Sequence, residues 1–236
     1  NGEKMTEIPY FRQTGIFDPS SQRMSISVIG VGSVGSFIAL TLAKLGFNDI
    51  EIIDYDEVND VNIPNQFYRI KDIGKPKVEA LKEIIMEFTG TEVTAKNEKI
   101  TEESQLDISI DRLYIIGVDN IEARKTIYNK LKGTPMKMLD GGMGGEEFMN
   151  QVIELDNEEH QKEYELFLDK KFKQAPCGFQ SVIYSVLSDA SEVVNLAKRI
   201  DKKEEVPRII RRDMRSWRMI AQMPKVVENG RTNWEI

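Results

Sequence analysis

The sequence predicts an α/β protein with a Rossmann-like, mainly parallel sheet, helices on both faces and a C-terminal extension. Three observations predict it. Apolar β-type runs alternate along the chain with segments of helical periodicity, the pattern of right-handed βαβ units. The first run leads into Gly30-Val-Gly32-Ser-Val-Gly35, which fits G-x-G-x-x-G. Further on, Leu113-Tyr-Ile-Ile-Gly-Val118 is apolar enough to be a central parallel strand buried on both faces.

Each element follows from its residues. Residues 26–31 read as a short apolar strand running into glycine, and 36–45 as a helix with Phe37, Leu40, Leu42 and Leu45 on its apolar side. Residues 48–54 form a second strand ending in Asp54. A helix over 74–89 is opened by Gly74-Lys-Pro76, with proline near its first turn. Residues 91–95 give a third strand and 113–118 the fourth. Asp119-Asn-Ile-Glu opens a helix over 120–132. A fifth strand at 136–139 enters Asp140-Gly-Gly-Met-Gly-Gly145, and 150–155 gives a sixth. The charged stretch 156–173 reads as a surface helix or a mobile crossover. Residues 182–200 read as a long helix of core or dimer interface, and 208–222 as a hairpin or a helix.

Composition bounds the class. A chain of 236 residues holds one sizeable α/β domain. It is assigned to 1–222, with the nucleotide-binding half at about 24–145 and a poorly ordered tail over 223–236. The hydrophobic fraction of 40% and the charged fraction of 30% suit a soluble globular protein. A net charge of −7 disfavours nonspecific binding to nucleic acid or anionic membranes. One cysteine rules out an internal disulfide and a four-cysteine zinc site, and the single histidine does not rescue one. A reducing, cytoplasmic setting fits. The apolar run 26–47 has the length of a membrane span, but its glycines and Lys44 make strand, turn and helix the better reading. No signal peptide is visible, and Asn1-Gly-Glu-Lys reads as an extraneous remnant ahead of Met5.

The glycine run carries the first functional argument. Gly30 permits the tight turn, Gly32 lets backbone approach a phosphate, and Gly35 lets the helix pack against the strand. The helix N-terminus offers unpaired N–H groups and the positive end of its dipole to phosphate oxygens. Asp54 falls about 20 residues further on, where an acidic side chain bonds a ribose hydroxyl. The motif, its flanking strands and Asp54 together point to nucleotide binding.

A second layer of motifs narrows the chemistry. Asp54-Tyr-Asp56-Glu-Val58 is followed by Asn62-Ile-Pro-Asn-Gln66, then Gly74-Lys-Pro-Lys77-Val-Glu79, then Val118-Asp119-Asn120 with Arg124 downstream. In order and spacing this series resembles the ThiF/MoeB family, the adenylating domains of ubiquitin-activating enzymes. The likeness is specific from residue 10 to about 130 and weaker to about 222. It implies an ATP site in which the loop Gly30–Gly35 and Asp54 hold the nucleotide, with Asp54 on the ribose. Asp56, Asn62 and Gln66 would line the adenosine and phosphate side. Lys77 would pair with phosphate charge as an acyl-adenylate forms, and Asp119 would hold Mg²⁺. Tyr10-Phe-Arg12-Gln13 resembles the family's N-terminal segment, so Arg12 would reach the nucleotide of a partner subunit in a homodimer. Ala175-Pro-Cys177-Gly178 resembles the cysteine-bearing segment before the family's late helix. Asp213-Met-Arg-Ser-Trp-Arg218 has only a loose counterpart.

The chain departs from the pattern at three places. Asn65 stands where the family has arginine, so Arg69 or Lys75 would have to supply that cation, or activity is altered. Pro9 replaces an N-terminal arginine. The paired C-x-x-C motifs of many relatives are absent, so no structural zinc is expected.

Several residues also have plainer readings. Asp54 could serve only a turn. Asp119 could cap the following helix. Lys77 could be a solvated lysine, and Cys177 a packed thiol rather than a nucleophile. His160 reads as a solvated surface residue. Arg208, Arg211, Arg212, Arg215 and Arg218 would fall along one side of a helix, as a solvated face or an anion patch.

The leading expectation is an adenylyltransferase that uses ATP and Mg²⁺ to activate a carboxylate. The carboxylate is the C-terminal glycine of a ubiquitin-like or sulfur-carrier protein. The rivals are adenylation of a peptide or tRNA-base carboxylate, an NAD-linked oxidoreductase, and a degenerate ATP-binding module.

Overall fold

The computed structural model describes residues 10–169 and 181–223. The chain runs β1 (Ser25–Ile29), α1 (Ser33–Leu45), β2 (Ile50–Asp54), α2 (Lys77–Thr89), β3 (Thr94–Asn97), β4 (Arg112–Ile116), α3 (Ile121–Leu131), β5 (Lys137–Gly144), β6 (Glu147–Glu154), α4 (Glu158–Asp169), α5 (Ile183–Asp201), β7 (Ile209–Asp213) and β8 (Arg218–Gln222). Hydrogen bonds join the strands into one sheet in the order β3-β2-β1-β4-β5-β6-β7-β8. The pairings from β3 through β5 are parallel, and those from β5 through β8 are antiparallel.

Strand alternation feeds two cores. Ile26 and Val28 of β1, with Leu113 and Ile115 of β4, face a layer built from α1, α2 and α5. Ile29, Tyr114 and Ile116 face a second layer built from α3 and α4. The predicted class, a mainly parallel sheet with helices on both faces, is what the chain adopts. A polar exception in the buried strands is satisfied in place. Glu51 of β2 accepts from the Ser27 hydroxyl at 2.9 Å and pairs with Lys96 at 2.6 Å.

Boundaries moved where turn chemistry competed with periodicity. The helix expected from residue 36 starts at Ser33, because Gly32 already occupies its N-cap. The helix expected from residue 74 starts at Lys77. Residues 72–75 close a turn first, with the Lys75 amide on the Asp72 carbonyl and Gly74 at φ +85°. Strand β5 runs on through its glycines to Gly144 and turns at Gly145, φ +65°, directly into β6.

Residues 208–222 form the hairpin β7–β8 rather than a helix, so the arginines do not share one helical side. The cause is local. Asp213 accepts from the Arg215 and Ser216 amides and so reverses the chain. In the resulting strand, Ile210 faces the α5 layer, while the neighbouring Arg211 is exposed and its Nε lies on the Met149 sulfur.

The stretch 156–169 contains α4, which buries Tyr164 and Leu168. His160 is not a solvated residue. Its side chain is 12% exposed, its Nδ1 accepts from the Glu154 amide at 3.1 Å, and burial holds its pKa below the ordinary histidine value. Cys177 with its flanking segment, residues 1–9 and the tail from 224 lie outside the described residues. Among the described residues no helix is long and apolar enough to cross a membrane.

Helix α5 is held at three points. The Asp201 carboxylate accepts from the Arg23 and Met24 amides, both at 2.9 Å, just ahead of β1. Val186, Ala190, Val193 and Ala197 join the core under α1. Asp189, fully buried, accepts from Asn150 Nδ2 of β6 at 2.8 Å.

Burial raises the Asp189 carboxyl to about 7, and burial also raises Glu192 one turn further on. An unfolded aspartate titrates near 3.9. The folded state therefore holds a proton that the unfolded state has lost between about pH 4 and pH 7, and stability falls as pH rises through that window. Asp189→Asn removes this penalty. Its Tm gain over the wild type is expected to be larger at pH 8 than at pH 5, and an equal shift at both pH values would refute the assignment.

Candidate active site

Three backbone segments cross at the carboxyl end of β1. The Gly30 amide donates to the Ile53 carbonyl at 2.8 Å, and the Gly117 amide to the Ile29 carbonyl at 2.7 Å. Gly30 sits at φ +89°, and a Cβ there would lie 2.7 Å from the Gly117 carbonyl carbon. A Cβ on Gly35 would lie 2.0 Å from the Gly30 oxygen, and one on Gly117 would lie 2.6 Å from the same atom. Gly30 and Gly35 thus lock the turn against the first turn of α1, as the motif requires. Gly117 supplies the matching gap just after β4. It falls outside any named motif, and the only linear signal for it is a glycine closing an apolar strand.

Gly32 differs from the other two motif glycines. A Cβ there would meet no protein atom within 4 Å, because the residue faces open space at the N-terminus of α1. The N–H groups of the first helical turn lie beside that space.

Asp54 closes the other side. Its Oδ2 accepts from the Val31 amide at 2.8 Å, and its Oδ1 from the Asp56 amide at 2.9 Å. The Val31 carbonyl accepts from the Tyr68 hydroxyl at 2.6 Å. The turn role weighed for Asp54 is therefore real, and the same carboxylate forms part of a cleft wall. Lys77, first residue of α2, is not solvated. Its side chain is 8% exposed and its Nζ lies 2.9 Å from Asp56 Oδ2.

The helix-capping reading of Asp119 is excluded. Asn120 is the N-cap of α3, its Oδ1 accepting from the Ala123 amide at 2.7 Å. Asp119 is left exposed, facing the cleft, with no hydrogen bond or ion pair among the described residues.

The cleft therefore gathers Gly30, Gly32, Asp54, Asp56, Gln66, Lys77 and Asp119 from the predicted set. It lies beyond the carboxyl ends of β1, β2 and β4, where β1 has its successor on one side and β4 on the other. That reversal of strand order is where open α/β sheets bind ligands.

Three predicted residues are elsewhere. Gly35 is packed beneath the loop. Asn62 spends its Oδ1 on the Asn59 amide at 2.8 Å, inside a short 3₁₀ turn. Arg12 is exposed on a segment tied to the far end of α1, where Gln13 Nε2 donates to the Leu45 carbonyl at 2.6 Å. A helix of 13 residues puts about 20 Å between that end and Gly32.

Neither cation expected to stand in for the absent arginine reaches the cleft. Arg69 is held by Asp72 at 2.8 Å and also by Glu83 and Glu87, while Lys75 is held by Glu83 at 2.7 Å. Asn65 itself donates to the Ser181 hydroxyl at 2.9 Å.

The residues present fit a nucleotide and a magnesium ion. Gln66 Oε1 is buried without a hydrogen-bond partner among the described residues, an acceptor on the cleft wall awaiting a donor. Among the described residues no three His, Cys, Asp or Glu side chains are grouped to hold a metal. Mg²⁺ does not need such a cage, since one or two carboxylates together with substrate phosphates suffice, and Asp119 is an exposed carboxylate on the cleft that could serve as one.

A helix N-terminus faced by bare glycine, an acidic latch and a buried lysine at the switch point define a Rossmann-type nucleotide-binding protein. Residues 16–227 match the ThiF family over most of the chain, and the protein belongs to that family. The catalytic subunit of the NEDD8-activating enzyme E1 from Arabidopsis thaliana is 34% identical over 148 residues, 56% of this chain and 32% of that protein. Ubiquitin-like modifier-activating enzyme 5 from Caenorhabditis elegans is 29% identical over 116 residues, 44% of this chain and 28% of that protein. The aligned part is thus about a third of the length of these relatives. Among solved structures, PaaA superposes with a TM-score of 0.67 at 20% identity, covering 87% of this chain and 74% of that one. Escherichia coli MccB with ATP gives 0.65 at 16%, covering 87% and 65%. At such identity the likeness is one of fold.

The glycines separate structure from binding. Gly35→Ala drives a methyl into backbone and should cost about 3 kcal/mol or more, lowering Tm by at least about 6 °C. Gly32→Ala meets only open space and should move Tm far less while weakening nucleotide binding by calorimetry. Equal Tm losses in the two variants would contradict this division.

Proposed function

We propose that the chain is an ATP- and Mg²⁺-dependent adenylyltransferase. It activates the C-terminal glycine carboxylate of a ubiquitin-like or sulfur-carrier protein. The observation that carries the reading is the meeting of Lys77 and Asp119 with the open N-terminus of α1 in one cleft. A carboxylate oxygen attacks the α-phosphorus, the α–β phosphoanhydride bond breaks, and pyrophosphate leaves. Two anions must approach each other, so the demand on the protein is charge neutralisation and alignment more than covalent chemistry.

Lys77 is placed for that work. It is desolvated and held beside Asp56, so its ammonium is oriented before ligand arrives. Asp54 and Gln66 are positioned to hold the nucleoside, and the glycine turn to seat phosphate. Mg²⁺, bound at Asp119, would neutralise phosphate charge. The family membership and the ubiquitin-like-activating relatives support the substrate class.

Arg12 supports a homodimer. It lies a helix length away from its own cleft, so any contact it makes with nucleotide comes from the other subunit. The lone cysteine suits a reducing cytoplasm.

A second reading has one observation behind it. With Asn65 turned to Ser181 and neither Arg69 nor Lys75 at the cleft, no described residue supplies that cation of the family pattern. A degenerate module would bind MgATP without exchanging pyrophosphate.

ATP–pyrophosphate exchange with candidate carriers tests the proposal. Lys77→Ala should reduce exchange by about a hundredfold, the scale of losing one preorganised charge. Asp119→Ala should reduce Mg²⁺-dependent ATP binding. Unchanged turnover and affinity in both variants would sink the assignment. For the dimer, Arg12→Ala and Asp119→Ala should each be inactive alone and recover partial exchange when mixed; no recovery would place Arg12 outside the site.

A further inference from the structure

Beneath the Asp119 loop lies a buried polar chain that the mechanism above does not use. Arg124 of α3 forms an ion pair with Asp140 of β5. Its Nη2 also donates to two carbonyls, Val118 at 2.6 Å and Gly141 at 2.8 Å. Asp140 Oδ2 accepts from the Tyr164 hydroxyl of α4 at 2.7 Å. Asp140 is 2% exposed and Tyr164 1%. The Tyr164 ring is wedged between Tyr128, edge-on at 5.0 Å, and Phe167, stacked at 5.7 Å.

A buried ion pair is weak evidence for stability, since apolar side chains of the same volume often do as well. What this one supplies is direction. A guanidinium is a planar fork, so holding Nη1 beside Asp140 constrains where Nη2 points. Here it points at the carbonyl of the residue immediately before Asp119 and at the Gly141 carbonyl of β5. Two hydrogen bonds from one nitrogen thus tie the segment just after β4 to the middle of β5. Asp119 has no hydrogen bond or ion pair of its own among the described residues; it feels the Arg124 charge and otherwise takes its position from that backbone.

We propose that Tyr164 and Asp140 are positioning residues for Asp119: they orient the Arg124 fork, and the fork holds the Val118–Asp119 peptide so that the carboxylate faces bound MgATP. The proposal rests on the reading of Asp119 as the magnesium-side carboxylate. It also places part of the site's framework in α4, beyond the glycine-loop half of the chain.

Tyr164→Phe is the variant to make, because it keeps the ring packing and removes one hydroxyl. Two measurements on the full chain keep the proposal apart from the function. The first is amide hydrogen exchange at residues 118–120 without ligand. Exchange there should quicken by about three- to tenfold, the scale of one net hydrogen bond. The second is ATP affinity with Mg²⁺ and with EDTA. The Mg²⁺-dependent gain should shrink by a similar factor while affinity in EDTA holds, and the shrinkage should vanish in an Asp119→Asn background.

Unchanged exchange at 118–120 would overturn the proposal. So would a loss of affinity equal with and without Mg²⁺, which is the mark of damaged packing. If the wild type binds no MgATP, the adenylation reading falls, and the exchange measurement alone still decides whether the fork holds the loop.

Discussion

The site depends on one close approach. Where β1 ends, its backbone turns within contact distance of both the first turn of α1 and the end of β4, and the Gly30 oxygen is the point they share. A side chain on Gly35, 2.0 Å from that oxygen, or on Gly117, 2.6 Å from it, would push one of these segments away. Everything that follows is geometric. With α1 seated against the turn, its N-terminus opens beside Gly32. With β4 seated against the turn, Val118 and Asp119 emerge on the other side of the same space. The cleft is the gap left between elements that cannot come closer or move apart.

Side chains then stiffen what the glycines permit. The Val31 peptide is held from both sides, its amide by Asp54 and its carbonyl by Tyr68. Burial raises the Tyr68 phenol well above its ordinary value, with the Asp54, Asp56 and Asp72 carboxylates adding to the shift, so it stays a neutral donor. Lys77 and Asp56 brace the start of α2 in the same way. An ion pair whose acid is half exposed contributes about 0–1 kcal/mol to stability. Its value here is orientation, because a lysine already held in place loses little further freedom when an anion arrives.

How far all this is legible in the sequence depends on the range of the interaction. The glycine spacing, Asp54 and the alternation of strands and helices are local patterns, and the sheet, both helical layers and most of the cleft wall follow from them. The lateral boundaries of α1 and α2 shifted because Gly32 and the Asp72–Lys75 turn compete with helical periodicity at the same residues. The hairpin at β7–β8 was ambiguous because arginines at threes and fours fit a helix until Asp213 is seen to cap the turn. His160 looked solvated because its neighbours are charged, and nothing local shows that the Glu154 amide needs it. The pairs Arg124–Asp140, Tyr164–Asp140 and Asn150–Asp189 join residues far apart in the chain; of these only Arg124 belongs to a motif, and nothing local names its partner. Gly117 belongs with them, since it is required only by a contact with Gly30.

Three long-range contacts link the parallel half of the sheet to segments that come after β5. Asp201 of α5 satisfies the amides that start β1, Tyr164 of α4 holds the carboxylate beside the end of β4, and Ser181 receives Asn65 from the loop behind Gln66. Without them the amides of Arg23 and Met24 would lose their acceptor, and Asp140 its hydroxyl donor. A buried polar group without a partner costs about 1–3 kcal/mol, comparable to a sizeable part of a domain's net stability when several are lost. The antiparallel strands and their helices are therefore more than an appendage on a nucleotide-binding half. They complete its hydrogen bonding at both ends of the central strands, and through Arg124 they reach the backbone of the residue beside Asp119.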